Sequence, residues 1–388
     1  MTAMHSSHFD VVIIGAGPAG TTCAALLARS GIRVLLCDKA SFPREKICGD
    51  CVNPGCWDFF KLLDVADEVS ANSENITGIK IAGRSGKVLD IPLNKNLPPA
   101  GIGSFIAIKR SKLDSLLLDR AIKDGAIFFE STAIESILCK RSNDDSWQLC
   151  LKKKESGETF NISCRVLAGA DGRNSRVAKL LYGIDAPYDK AKESGSDRIG
   201  VQFTVKRTDP IASNVLMFLF DGGYGGIVGV NADEANVAMV VSRSLARLAL
   251  TDVENFMSKT IRSNQYAKRI FSRLELIGEI RTAFPITPRR NKKQFLSAYL
   301  IGDARHTTEP FTGEGILFAM QDGNRAAKRI LNTFGIAHEG FPILARNRFW
   351  NNGIFSPVLQ RESLTEKILG LGLRNKNLVK LASKAVFR

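Results

Sequence analysis

The stretch Gly15-Ala16-Gly17-Pro18-Ala19-Gly20 most narrowly limits what this chain can fold into. It follows a continuous apolar run over residues 10–14, which reads as a strand buried on both faces of a parallel sheet. An Ala- and Leu-rich segment then predicts a helix over 18–29, and Gly31 ends it as a left-handed cap would. Residues 32–37 predict a second strand, closed by Asp38 with Lys39 beside it. Each glycine has a physical task. Gly15 permits the tight turn, Gly17 lets a diphosphate approach the backbone, and Gly20 lets helix and strand pack closely. The helix N-terminus offers free N–H groups and partial positive charge to phosphates. Asp38, 23 residues after Gly15, suits the hydroxyls of a ribose. Strand, turn, helix, strand and acid in this order predict a dinucleotide-binding unit, with NAD and FAD both open at this point.

A chain of 388 residues is long enough for two domains with substantial cores. A hydrophobic share of 44% and a mean hydropathy of −0.03 fit an ordinary globule, and no apolar run is long enough to span a bilayer as a helix. The first residues lack the apolar stretch of a signal peptide, so a cytoplasmic location is expected. Eight cysteines in such a chain read as reduced thiols. The net charge of +15 is dispersed, without aromatic interleaving or zinc-finger spacing. It therefore argues for a phosphate-rich cofactor, an anionic substrate or a membrane surface rather than nucleic acid, and no metal site is expected.

Two further stretches extend the pattern. Mid-chain stands Gly169-Ala170-Asp171-Gly172-Arg173-Asn174-Ser175, and later come Gly302-Asp303-Ala304, Pro310, Gly313, Glu314 and Gly315. Taken with the first, they resemble the flavoprotein superfamily of aromatic hydroxylases, geranylgeranyl reductases and flavin-dependent halogenases, over roughly residues 9–335. The resemblance implies FAD, with NAD(P)H as a visiting reductant. By it, Asp303 binds ribityl or ribose hydroxyls, and Gly313, Glu314, Gly315 and Ile316 bring backbone N–H groups to the flavin edge where negative charge develops. Asp171 would lie between cofactor and reductant. Arg110, in Arg110-Ser111-Lys112-Leu113-Asp114, matches a motif whose arginine contacts the cofactor. His306 would sit near the flavin edge, where it could tune the flavin or relay a proton.

Residues 43–49, Pro43-Arg44-Glu45-Lys46-Ile47-Cys48-Gly49, most resemble the geranylgeranyl-reductase branch. By analogy Arg44, Cys48 and Gly49 are cofactor contacts, with Cys48 a candidate for the flavin face and a buried inert thiol the alternative. Cys51 and Cys56 share the Cys-x4-Cys spacing of flavin disulfide reductases. Those enzymes carry a second nucleotide fingerprint, and none is found here.

The expected fold is α/β. A discontinuous Rossmann-like FAD domain (9–75, 107–190 and 289–335) carries an inserted, mostly antiparallel substrate sheet (76–106 and 191–288) and a C-terminal helical region (336–388). β-branched and alternating runs suggest that sheet, with Met217, Phe218, Phe220 and Phe284 as expected cavity-wall residues. The geranylgeranyl-reductase signature Tyr-x-Trp-x-Phe-Pro is replaced by Tyr224-Gly225-Gly226-Ile227-Val228-Gly229, and the halogenase Trp-x-Trp-x-Ile-Pro and catalytic lysine are missing. The expectation by elimination is an FAD monooxygenase using NAD(P)H and O2 to hydroxylate or epoxidise an apolar, cyclic small molecule. A flavin-dependent reductase of prenyl or other C=C bonds is the main alternative; a disulfide oxidoreductase using Cys51 and Cys56, a halogenase and a flavin-bound sensor follow. The basic amphipathic segment over 363–388 suits either peripheral contact with an anionic membrane or packing against the body. Substrate identity and oligomeric state are not written in the sequence.

Overall fold

The computed structural model describes residues 7–93, 104–140, 146–183, 198–207, 213–271, 275–286, 289–290, 297–308, 310 and 313–337. The C-terminal tail lies outside the described residues.

The apolar run forms β1 (Ser7–Ile14), from which Val11, Val12 and Ile13 are wholly buried. It passes through the glycine turn into α1 (Pro18–Arg29), where Pro18 takes the first helical turn and its missing N–H costs nothing. Gly31, at φ 81°, reverses the chain into β2 (Val34–Cys37). The strand Thr159–Gly169 lies parallel to β1 on its other side, β2 pairs with Ile127–Phe129, and Ala298–Leu300 adds to the end of Thr159–Gly169. Two antiparallel strands, Trp147–Lys153 and Thr132–Lys140, complete this seven-stranded sheet.

One face of the sheet is covered by α1 and by the helices Arg110–Lys123 and Gly315–Thr333. The last of these turns Ile316, Met320, Ala327, Ile330 and Leu331 inward at helical spacing. It crosses α1 closely because Gly323 has no Cβ, which would lie 2.4 Å from the Ala19 carbonyl oxygen. The other face packs Trp147, Leu149, Leu167 and Val177 into a separate core.

A second seven-stranded sheet runs, edge to edge, Leu276–Ala283, Arg198–Lys206, Glu234–Ser242, Gly223–Gly229, Asn214–Phe220, Gly78–Ala82 and Val88–Pro92. It is antiparallel except where Asn214–Phe220 meets Gly78–Ala82. Val201, Phe203, Phe218, Phe220, Val237 and Met239 face the short helices Arg243–Thr251, Val253–Lys259 and Gln265–Ile270 and form its own core. Residues 105 and 106, expected in the substrate unit, are placed with Ala107 elsewhere. They pair with Cys51–Val52 and Glu74–Ile76 in a three-stranded sheet beside the first domain rather than joining the substrate sheet. Among the described residues no helix is long and apolar enough to cross a membrane.

Candidate functional site

The glycine turn is tensed against its surroundings in the way a close ligand approach demands. Gly15 stands at φ 108°, where a Cβ would lie 2.4 Å from the Ala170 oxygen, and a Cβ on Gly20 would lie 1.9 Å from the Gly15 oxygen. Asp38 holds the turn from below: one carboxylate oxygen accepts from the Ala16 N–H at 2.8 Å, the other from Ala40 at 2.9 Å. It is 6% exposed, while Lys39 beside it is exposed. No side chain caps α1, so its first N–H groups face outward past Gly17.

Above the turn lies a cluster of cations. Arg110 opens its helix buried rather than exposed, and it grips Asp114 in a fork: Nε to Oδ1 at 2.9 Å and Nη2 to Oδ2 at 2.8 Å. Arg44 Nη2 reaches the same Asp114 oxygen at 3.1 Å, and its Nε lies 3.8 Å from Asp38. That Nε is buried without a hydrogen-bond partner. Lys46 completes the group. Burial first, then the neighbouring Arg110, pulls its ammonium below the usual lysine range, with Asp303 pulling the other way. Arg44, Lys46 and Arg110 thus gather in this cleft against Asp38, Asp114 and Asp303.

The cleft opens into a cavity of about 260 Å³. Its floor is made by Gly17, Pro18, Ala19, Lys46, Cys48, Gly49, Arg110, Asp303, Gly313, Gly315 and Ile316. The helix Gly315–Thr333 starts at Glu314 with no side-chain cap, and Gly313 turns at φ 66° just before it, so this second helix N-terminus also meets the floor. The roof is the second sheet: alternate residues Ile79 and Ile81, Val215 and Met217, Tyr224, Gly226 and Val228, and Ala238 and Val240 line it, while Val201, Ile227 and Met239, which belong to the opposite core, also border the cavity. Alternation is the strand period itself. Gly226 and Ala238 are register neighbours, so the middle of the roof is low in side chains.

Two of the expected wall residues fall on the wrong side of that period. Met217 lines the cavity, but Phe218 and Phe220 point into the opposite core with Phe203 and Val237. Phe284 is 45% exposed, outside the cavity, with the Arg243 guanidinium 5.7 Å over its ring. His306 pairs with Arg290 in a short ladder and lines an adjoining cavity of about 120 Å³, which shares Asp303, Thr308 and Gly315 with the main one. Asp171 spends its carboxylate on its own loop: Oδ1 accepts from the Ser175 hydroxyl, and Oδ2 from the Arg176 and Val177 N–H groups at 2.6 and 3.1 Å. Its neighbours Ala170 and Gly172 reach the cavity instead.

The thiols are quiet. Burial raises Cys48, with Arg110 opposing, and burial raises Cys51 and Cys56 far above the ordinary thiol range. A thiol held protonated is a poor nucleophile, and Cys51 and Cys56 are both free. This speaks against a redox pair. Sequence reasoning missed Lys46, Asp50, Tyr224, Gln202 and Asn236. Asp50 is buried with one carboxylate oxygen unpartnered, at φ 55°, and burial pushes it up to about 7.

Taken together, these features fit an elongated anionic dinucleotide. The glycine floor admits its diphosphate, two uncapped helix ends match its charge, and the orphaned Arg44 Nε lacks an acceptor it would supply.

A family model described as "FAD binding domain" matches residues 8–335. The chain is 27% identical over 326 residues to the geranylgeranyl diphosphate reductase of Rhodobacter capsulatus, covering 82% of this chain and 74% of that protein. It is 27% identical over 343 residues to conditioned medium factor receptor 1 of Dictyostelium discoideum, covering 84% of this chain but only 64% of that longer protein. Among solved structures, a flavin-dependent brominase superposes with a TM-score of 0.72 at 20% identity, covering 98% of this chain and 95% of that one.

Proposed function

Because this chain belongs to the FAD-binding-domain family, an FAD-dependent oxidoreductase superfamily, we propose that it reduces carbon–carbon double bonds of an apolar, prenyl-type small molecule. NAD(P)H serves as the reductant that reloads the cofactor. The observation that carries this reading is the shared cavity: glycine turns and cations on one side, an aliphatic sheet face on the other. Support comes from the likeness to a geranylgeranyl diphosphate reductase and from residues 43–49, which resemble that branch.

FAD, when bound, supplies the hydride chemistry. The chain supplies place and environment. Gly17, Arg44 and the N-terminus of α1 would hold the diphosphate, Asp38 and Asp303 the sugar and ribityl hydroxyls, and Gly313, Gly315 and Ile316 the flavin edge. Ile79, Ile81, Val215, Met217 and Val228 exclude water and orient an apolar chain by shape rather than by hydrogen bonds. The cavity wall carries several proton-bearing side chains, among them Tyr224, Cys48, Arg173 and Lys46, and Lys46, with its lowered affinity for a proton, is well placed to give one up.

The test is turnover of geranylgeranyl diphosphate with reduced FAD, with and without oxygen, followed by mass spectrometry. Saturation of double bonds without oxygen supports the reading. Product that appears only with oxygen and carries an added oxygen atom would replace it with monooxygenation, the expectation reached from the sequence. Gly226 and Gly229, where the reductase branch carries tryptophan and proline, favour that second reading.

A further inference from the structure

Cys48 lies on the cavity floor between Lys46 and Gly49, yet its peptide is held from the opposite side of the cavity. Its N–H donates to Gln202 Oε1 at 3.3 Å, and its carbonyl accepts from Asn236 Nδ2 at 2.8 Å. Gln202 Nε2 donates to Asn236 Oδ1 at 2.9 Å and closes the ring. Gln202 and Asn236 are 5% and 2% exposed, on adjacent strands of the roof.

Two buried carboxamides in an aliphatic sheet are unfavourable unless bonded, and here the bonds out of the pair converge on a single residue of the floor. The ring also admits one orientation. If Asn236 gives its N–H to the Cys48 carbonyl, its oxygen faces Gln202, which must then turn its own oxygen to the Cys48 N–H. The strand bearing Asn236 makes a second tie nearby, since Glu234 pairs with Lys109, the residue before Arg110. Gln202 shares a register row with Ala238, Gly226 and Met217, the row that crosses the middle of the roof.

We propose that Gln202 and Asn236 are positioning residues that fix the Cys48 peptide, so that the substrate sheet and the floor loop carrying Lys46 and Gly49 move as one body. The proposal concerns the protein with or without FAD. The inference that this loop meets a bound flavin rests on the functional reading above and is tested separately.

The experiment measures modification of Cys48 by 4,4′-dithiodipyridine in the full chain, located by peptide mass spectrometry, beside thermal unfolding. Asn236→Leu and Gln202→Leu should raise the Cys48 rate by about tenfold, the effect of freeing one hydrogen bond of about 1.4 kcal/mol, while Cys23 and Cys56 stay slow. Gln202→Glu separates positioning from bulk packing. A neutral carboxylic acid both donates and accepts as the amide does, so the variant should regain protection relative to Gln202→Leu as pH falls, and lose it as the acid ionises. With FAD added, the Leu variants should shift the flavin absorption band. An unchanged Cys48 rate in folded variants, an equal rise at Cys23, or a Gln202→Glu protein that behaves like Gln202→Leu at every pH would overturn the proposal. If FAD fails to bind at all, the functional reading falls while the thiol measurements still decide this one.

Discussion

Replacing Arg110 by methionine isolates the charge cluster that the cleft is built around. Arg110 and Asp114 are 6% and 0% exposed and are joined by two bonds of 2.9 and 2.8 Å. Breaking a buried pair from one side typically costs about 3–5 kcal/mol, because the remaining charge is left in a poor solvent. Arg44 stays 3.1 Å from Asp114 and keeps part of the compensation, which places the loss near the lower end, about 3 kcal/mol. At roughly 1 °C per kcal/mol for a chain of this size, Tm should fall by about 3–4 °C. The assay is thermal unfolding of protein without added FAD, read by circular dichroism. Arg110→Met combined with Asp114→Leu removes the stranded carboxylate and should recover at least half the loss. A single variant within about 1 kcal/mol of the parent, or a double variant as unstable as the sum of the two singles, would refute the reasoning, since uncoupled sites add.

Other perturbations probe different parts of the account. Gly20→Ala forces a Cβ to within 1.9 Å of the Gly15 oxygen, so FAD binding should be lost or the protein should fail to accumulate folded, as read by flavin retention and gel filtration. Gly226→Val meets a flexible neighbour, Met217 Sδ at 3.0 Å, and should fold; by filling the roof it should raise KM for an apolar substrate by about tenfold or more while FAD affinity holds. For Asp50, burial raises the folded pKa to about 7, so the folded state binds the extra proton. The stability this provides is full below the unfolded value of about 4 and is lost as pH rises through about 7. Asp50→Asn should therefore match the parent in acid and exceed it above pH 7, by at most about 4 kcal/mol, in urea titrations across pH. A pH-independent difference would count against that burial.

The glycine turn, α1, Asp38 and the Gly302-Asp303-Ala304 segment were legible because each is fixed by local backbone chemistry that only certain residues permit. The roof was not legible at the level of single side chains. In Asn214–Phe220 both faces are buried, one against the cavity and one against helices, so the run is apolar throughout and carries no alternation to set its phase. A slip of one residue then exchanges Met217 for Phe218. Asp171 was readable in principle, since Ser175 and the helix after it are four and five positions on, a spacing at which a carboxylate caps its own loop. Gln202 and Asn236 had no such signal. They are 34 residues apart, and only sheet register brings them together over Cys48. Arg110 was singled out by its motif, which also carries its i,i+4 counter-charge Asp114, but the second cation on that carboxylate, Arg44, arrives there by folding alone.

Isothermal titration of the cofactor-free protein with FAD bears most directly on the central claim, that the glycine floor, Asp38 and the Arg44–Lys46–Arg110 cluster form one nucleotide site. The account predicts a single saturable site with about one FAD per chain, a yellow complex and quenched flavin fluorescence, all weakened by Arg44→Met. A protein that stays colourless and shows no heat on titration, although folded, would contradict it.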